Sequence, residues 1–135
     1  MCRTLIYIMI AFALLLSAGL AVAAEPDLAG SYACVGTTTG GKQYAGDVEI
    51  KKVRQGYQVA WQVAGAKYGG VGFIDEGRLN VAWATRQNNV IVTGVIVYEI
   101  QKNGELHGKW IDAGLGGIYS EKLRPAWRGA ARRLA

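Results

Sequence analysis

Beyond residue 30, apolar side chains recur at every second position along almost the whole chain, and short turn signals break that rhythm at hairpin intervals. Tyr57, Val59, Trp61 and Val63 alternate with Gln58, Ala60 and Gln62. Leu79, Val81 and Trp83 alternate with Asn80, Ala82 and Ala84, and Val48 and Ile50 with Asp47, Glu49 and Lys51. A period of two places one set on each face of a strand. No segment of this body shows a helical period, so the chain is confined to all-β architectures. The breaks fall at Thr39-Gly40-Gly41, Gln55-Gly56, Asp75-Glu76-Gly77, Asn88-Asn89, Asn103-Gly104 and Gly114 to Gly117. Gly, Asn and Asp tolerate the backbone of tight turns. Asn103-Gly104 is the strongest signal, because both residues accept the positive φ of a two-residue hairpin.

These breaks delimit eight expected strands, over 29–36, 43–53, 56–65, 67–75, 78–86, 89–102, 105–112 and 117–123. Every connection has hairpin length, which makes a meander. Eight meandering strands abolish their exposed edges by closing. The expected fold is therefore all-β, an eight-stranded antiparallel up-and-down barrel; an open curved sheet and a two-sheet sandwich are the alternatives. Gly46, Gly70, Gly72, Gly94 and Gly108 fall inside strands, where glycine marks a bend or a close approach. Tyr44-Ala45-Gly46, Tyr68-Gly69-Gly70 and His107-Gly108 each set a ring beside such a glycine, as if the hairpins were built to one recipe.

The two ends differ from this body. Arg3 precedes an apolar run from Leu5 to Leu20, then the small residues Ala21-Val22-Ala23-Ala24, then Glu25 and Pro26. That order is a secretory signal peptide helix with cleavage near Ala24; the alternative is an uncleaved anchor, since about 20 apolar residues span a bilayer. The chain divides into 1–24 signal peptide, 25–123 barrel and 124–135 basic C-terminal tail. The tail, interrupted by Gly129, is expected to be disordered. The expected location is periplasmic or secreted.

Cys2 leaves with the signal, so Cys34 has no partner for an internal disulfide. In an oxidising compartment it is either buried or paired between chains; its alternation with Tyr32 puts it inside. Between Glu25 and Leu123 ten Lys/Arg balance ten Asp/Glu, so the excess positive charge comes from Arg124, Arg128, Arg132 and Arg133. Without a basic patch on the folded body, nucleic acid is not an expected partner. The tail, with Trp127, suits at most a weak contact with anionic membrane.

Catalytic apparatus is hard to assemble from this composition. His107 is the sole histidine, which excludes multi-histidine metal sites. On alternation it shares an outer face with Lys109, opposite Leu106, Gly108 and Trp110. Ser31 and Ser120 lack a nucleophile-elbow context. Asp75-Glu76 lies in a turn, and no glycine-rich loop joins a strand to a helix. No catalytic residue, cofactor or metal is expected, and the chain does not read as an enzyme.

Aromatic residues are the more informative set. Trp61, Trp83 and Trp110 fall late in their strands on the apolar face, with Tyr32, Tyr44, Tyr57 and Tyr68 on similar faces. An eight-stranded barrel is either filled by side chains or just holds one small ligand. Filling is the ordinary use of such rings. Walling a pocket is the other, with indole N–H and phenol groups as its polar contacts. On that second reading Trp61, Trp83, Trp110, Tyr44 and Tyr68 are the ligand-binding candidates. Gln62 and Asn80 point the other way.

Leu28-Ala29-Gly30-Ser31-Tyr32 resembles the first-strand opening of lipocalin-like and avidin-like barrels, and tryptophans near strand ends (Trp61, Trp83, Trp110) are similar to avidin-like proteins. The resemblance implies a barrel; the polar residues that hold biotin in those proteins have no counterparts here. Gly30-Ser31-Tyr32-Ala33-Cys34, Tyr44-Ala45-Gly46, Tyr57-Gln58-Val59-Ala60-Trp61, Leu106-His107-Gly108-Lys109-Trp110 and Glu121-Lys122-Leu123 resemble a group of small exported bacterial proteins. Some of these carry a fibronectin-binding label. Tyr32-Ala33-Cys34-Val35-Gly36 is similar to the opening of periplasmic lysozyme inhibitors, whose second cysteine and Ser-Ala-Ser-Gly loop are missing here. The expected function is thus non-catalytic binding, of a small apolar or amphipathic ligand in an aromatic-lined barrel. The alternative is an adhesin or protein inhibitor acting through the outer face.

Overall fold

A computed structural model describes Gly19, residues 24–114 and residues 116–126. Apart from Gly19 and Ala24, the expected signal peptide lies outside the described residues, as does the tail from residue 127 onward.

Eight strands follow in order: β1 Gly30–Thr37, β2 Gln43–Val53, β3 Gly56–Val63, β4 Ala66–Asp75, β5 Arg78–Gln87, β6 Val90–Ile100, β7 Leu106–Asp112 and β8 Tyr119–Pro125. Each pairs antiparallel with the next, and β8 returns to β1, closing an up-and-down barrel. The closing ladder runs from Tyr32 opposite Pro125 to Gly36 opposite Glu121. That ladder excludes the open sheet and the sandwich, because it leaves no free edge.

Turn chemistry explains the connections. Ala64-Gly65, Glu76-Gly77 and Asn88-Asn89 each hold two successive residues at positive φ, the type I′ pattern whose twist matches that of the flanking strands. Asn103-Gly104 behaves otherwise. Only Gly104 takes a positive φ, at 86°, and its N–H donates to the Gln101 carbonyl at 3.0 Å. Asn103 contributes through its side chain, which accepts from the Glu105 N–H at 3.0 Å. The β6–β7 connection is therefore a longer loop ended by a left-handed glycine, not the two-residue turn the dipeptide suggests.

The last strand also ends later than its apolar pattern indicates. Arg124 and Pro125 pair with Ala33 and Tyr32, and the Ala126 N–H donates to the Ser31 carbonyl at 2.9 Å. The first residues assigned to the tail thus belong to the barrel. They are needed to cover the otherwise unpaired edge of β1.

The meander gives the barrel two unlike ends. The β2–β3, β4–β5 and β6–β7 connections surround one, with both ends of the described chain. There the interior is packed solid by Tyr32, Val48, Ile50, Tyr57, Val59, Leu79, Val81, Tyr98, Leu106 and Leu123. The segment before β1 plugs this end. Leu28 is buried; its carbonyl accepts from the Tyr32 hydroxyl at 2.7 Å, and its N–H reaches the Tyr57 hydroxyl at 3.4 Å. Tyr57 in turn donates to the Pro26 carbonyl at 3.3 Å. The opposite end, bounded by the β1–β2, β3–β4, β5–β6 and β7–β8 connections, is open.

Strand glycines seat the large rings. Gly36 faces Tyr44, Gly94 faces Trp83 and Gly108 faces Tyr98. A Cβ at these glycines would lie 2.3, 2.4 and 2.7 Å from the opposing ring, respectively. The recipe of ring beside glycine therefore operates across strands, not along them as the sequence echo suggests.

Gly69 faces outward with nothing within 4 Å of an added Cβ. Urea denaturation should separate the two kinds of glycine. Gly108→Ala is expected to lose about 1–3 kcal/mol by overpacking. Gly69→Ala should be neutral or gain about 0.5–1 kcal/mol by restricting the unfolded chain.

Candidate functional site

Alternation along β8 sends Tyr119, Glu121 and Leu123 inward. Leu123 joins the packed half, but Glu121 puts a carboxylate into the middle of an apolar barrel with 5% of its surface exposed. Its neighbours on both sides are glycines, Gly36 on β1 and Gly108 on β7. Their missing side chains let two tyrosines lie over them from the next strands. Tyr44 comes from β2 and donates to Glu121 Oε1 at 2.9 Å. Tyr98 comes from β6 and donates to Oε2 in a short bond. Trp61 Nε1 adds a third donor to Oε2 at 3.2 Å and lies 3.3 Å from the Tyr98 hydroxyl.

Across five strands the interior thus reads Tyr44, Gly36, Glu121, Gly108, Tyr98. Three donors converge on one carboxylate, which is how such a group is tolerated away from water. Among the described residues no lysine, arginine or histidine pairs with it.

Burial and the Glu121 carboxylate hold the neighbouring groups protonated. Burial first, then Glu121, raises the Tyr44 and Tyr98 hydroxyls well above the usual phenol range. The same two causes raise the Cys34 thiol, which is 1% exposed. Cys34 is accordingly a buried packing residue with an inert thiol.

Above this row lies a cavity of about 220 Å³, opening between the hairpins of the open end. Trp61, Trp83, Trp110, Tyr44 and Tyr68 all line it, and Glu121 forms part of its floor. The rings make a continuous wall: Tyr68 meets Trp83 edge-on at 5.8 Å, Trp83 meets Trp110 edge-on at 6.1 Å, and Trp110 lies 4.8 Å from Tyr119 between centroids. Thr38, Ala64, Gln87 and Asp112 border the mouth. The buried Nε1–H of Trp110 has no acceptor.

The two expectations for the aromatic residues each describe one half of the barrel. The half toward the plug is filled, whereas the half toward the mouth is walled by rings around a space. Gln62 is exposed on the outer wall, and Asn80 turns its amide to the Arg78 carbonyl at 3.1 Å. His107 is half-exposed outside, 2.8 Å from Glu105. Its hydrogen bond is the main cause lowering the Glu105 pKa. The broader depressions lined by Val71, Phe73 and Val95 are open troughs on the outer wall.

Glu121 and Tyr98 were not among the candidates drawn from the sequence. Only part of their signal lies in the sequence, the alternation of Tyr119, Glu121 and Leu123; the glycines that flank Glu121 are brought there by the register of β8 with β1 and β7.

Compared with known proteins, the chain matches no protein-family model, and no curated protein matches it.

Tyr98→Phe removes a donor from a buried carboxylate, and urea denaturation should register a loss of about 1.5–3 kcal/mol. Tyr44→Phe should cost less, because Tyr44 is only half-buried and water can take the place of its hydroxyl. The pKa shifts set the direction of the pH dependence. Cys34, Tyr44 and Tyr98 stay protonated in the fold, while the unfolded chain ionises them near 9.0 for the thiol and 10.0 for the phenols. Their contribution to stability is therefore complete below pH 9 and declines as pH rises further. The urea midpoint should fall from about pH 9 upward, with Cys34→Ala delaying the onset.

Proposed function

We propose that this chain is a non-catalytic, exported binding protein whose barrel receives one small apolar or amphipathic ligand at its open end. The observation that carries this reading is the aromatic-walled space above Glu121. A barrel with the same strands and a filled interior at both ends would be more stable, because voids forfeit packing. Here one end is packed and plugged, while the other keeps Trp83, Trp110 and Tyr68 around a cavity. Its size suits a guest smaller than the usual drug-sized ligand, since such ligands occupy roughly 300–1,000 Å³. Export rests on the order of residues 1–26.

One observation favours a second reading, an adhesin or protein inhibitor acting through the outer face. Val71 and Phe73 on β4 and Val95 on β6 are exposed on the outer wall, with Ala82 of β5 between Val71 and Val95. Contiguous apolar surface of that kind marks interaction sites.

Native mass spectrometry of the protein taken from its own cells tests the first reading against the denatured mass. A reproducible excess mass is expected that disappears on denaturation and is lost in a Trp83→Leu, Trp110→Leu double variant. A bare monomer in every preparation, together with retained binding to matrix proteins or lysozymes that Phe73→Lys abolishes, would move the function to the outer face.

A further inference from the structure

We propose that the guest is a small organic ammonium ion; this rests on the binding reading above. The charge of the cavity points there first. Of the described residues lining it, only Glu121 and Asp112 are charged, and both are acidic. The five rings of Tyr44, Trp61, Tyr68, Trp83 and Trp110 share the rest of the wall with smaller side chains such as Val63, Val92 and Ile96. Aromatic faces carry negative potential and attract ammonium groups, most strongly where water is excluded. An anionic guest would meet two carboxylates and no cation.

Glu121 supplies the second argument. A buried carboxylate is ordinarily compensated by a basic partner as well as by hydrogen bonds. Glu121 has three donors, from Tyr44, Tyr98 and Trp61, but no cation among the described residues. A neutral apolar molecule would leave that charge unbalanced, whereas an ammonium ion in the ring-walled space offsets it without disturbing the donors.

A metal cation does not fit the same space. Among the described residues no three His, Cys, Asp or Glu side chains are grouped to hold one, and hard cations need six or more oxygens.

The mature protein, titrated with choline, tetramethylammonium and 3,3-dimethylbutan-1-ol (the uncharged carbon analogue of choline), provides the test. Tryptophan emission reports occupancy, and calorimetry gives stoichiometry. Choline is expected to bind one per chain, at least about tenfold more tightly than the alcohol, as a desolvated cation over aromatic faces requires. Tetramethylammonium, which carries the same kind of charge, should also bind more tightly than the alcohol. Glu121→Gln should weaken choline by about tenfold or more, the difference of one buried charge pair. Asp112→Asn stands outside the hydrogen-bonded row and gives a second variant that does not threaten the fold. It should weaken choline by a smaller factor and leave the alcohol unchanged.

Equal affinity for choline and the alcohol would overturn the ammonium assignment while leaving a ligand pocket in place. No binding of any of the three would also overturn it, and the native-mass comparison then decides separately whether the cavity holds another guest.

Discussion

A carboxylate in the middle of a small barrel has to be paired or it unfolds the structure around it, and much of this interior is arranged to satisfy that demand. Glu121 is reached by Tyr44 from one side and Tyr98 from the other, each ring lying across a strand that offers only a glycine beneath it. Remove the side-chain-free positions at Gly36 and Gly108, and neither hydroxyl has a path to the carboxylate. The glycines that weaken β1 and β7 therefore make possible the polar contacts that tie β8 to β2 and β6 across them. The same row divides the molecule. Below it apolar side chains fill the interior to the plug at Leu28; above it the rings part around a space.

That division explains how one short chain combines a firm fold with an unfilled cavity. The packed half and the continuous hydrogen-bonded wall hold the barrel closed. The upper half is relieved of that duty and can keep tryptophans at an opening. Edge-to-face contacts among Tyr68, Trp83 and Trp110 fix the rings against one another, so the wall is organised before any guest arrives. Preorganisation of this sort reduces what must be ordered on binding.

Much of the fold was legible in the sequence because its signals are local. Alternation along Tyr57–Val63 and Leu79–Trp83 and the turn residues at Glu76-Gly77 and Asn88-Asn89 are read within a few positions, and a run of hairpins leaves closure as the natural way to pair the last edge. What depends on registration across strands was not legible. Nothing near Glu121 in the chain announces that Gly36 and Gly108 flank it, since these contacts join residues far apart in sequence. For the same reason the pairing of rings with glycines was visible only as an echo along single strands. The aromatic candidates were found because rings on an apolar face stand out; the charged residue among them did not, because an acid between Tyr119 and Leu123 looks like an ordinary solvated position until the strand's inward face is known. Asn103-Gly104 failed differently: the dipeptide fits more than one turn, and the Gln101–Glu105 bonds selected the longer loop.

Both ends of the described barrel chain leave by the plugged rim. Residue 24 precedes the plug directly, and β8 finishes at Pro125 opposite Tyr32, far from the hairpins that frame the mouth. The mouth is therefore framed by hairpins alone among the described residues, and a guest entering there would meet neither end of the described chain.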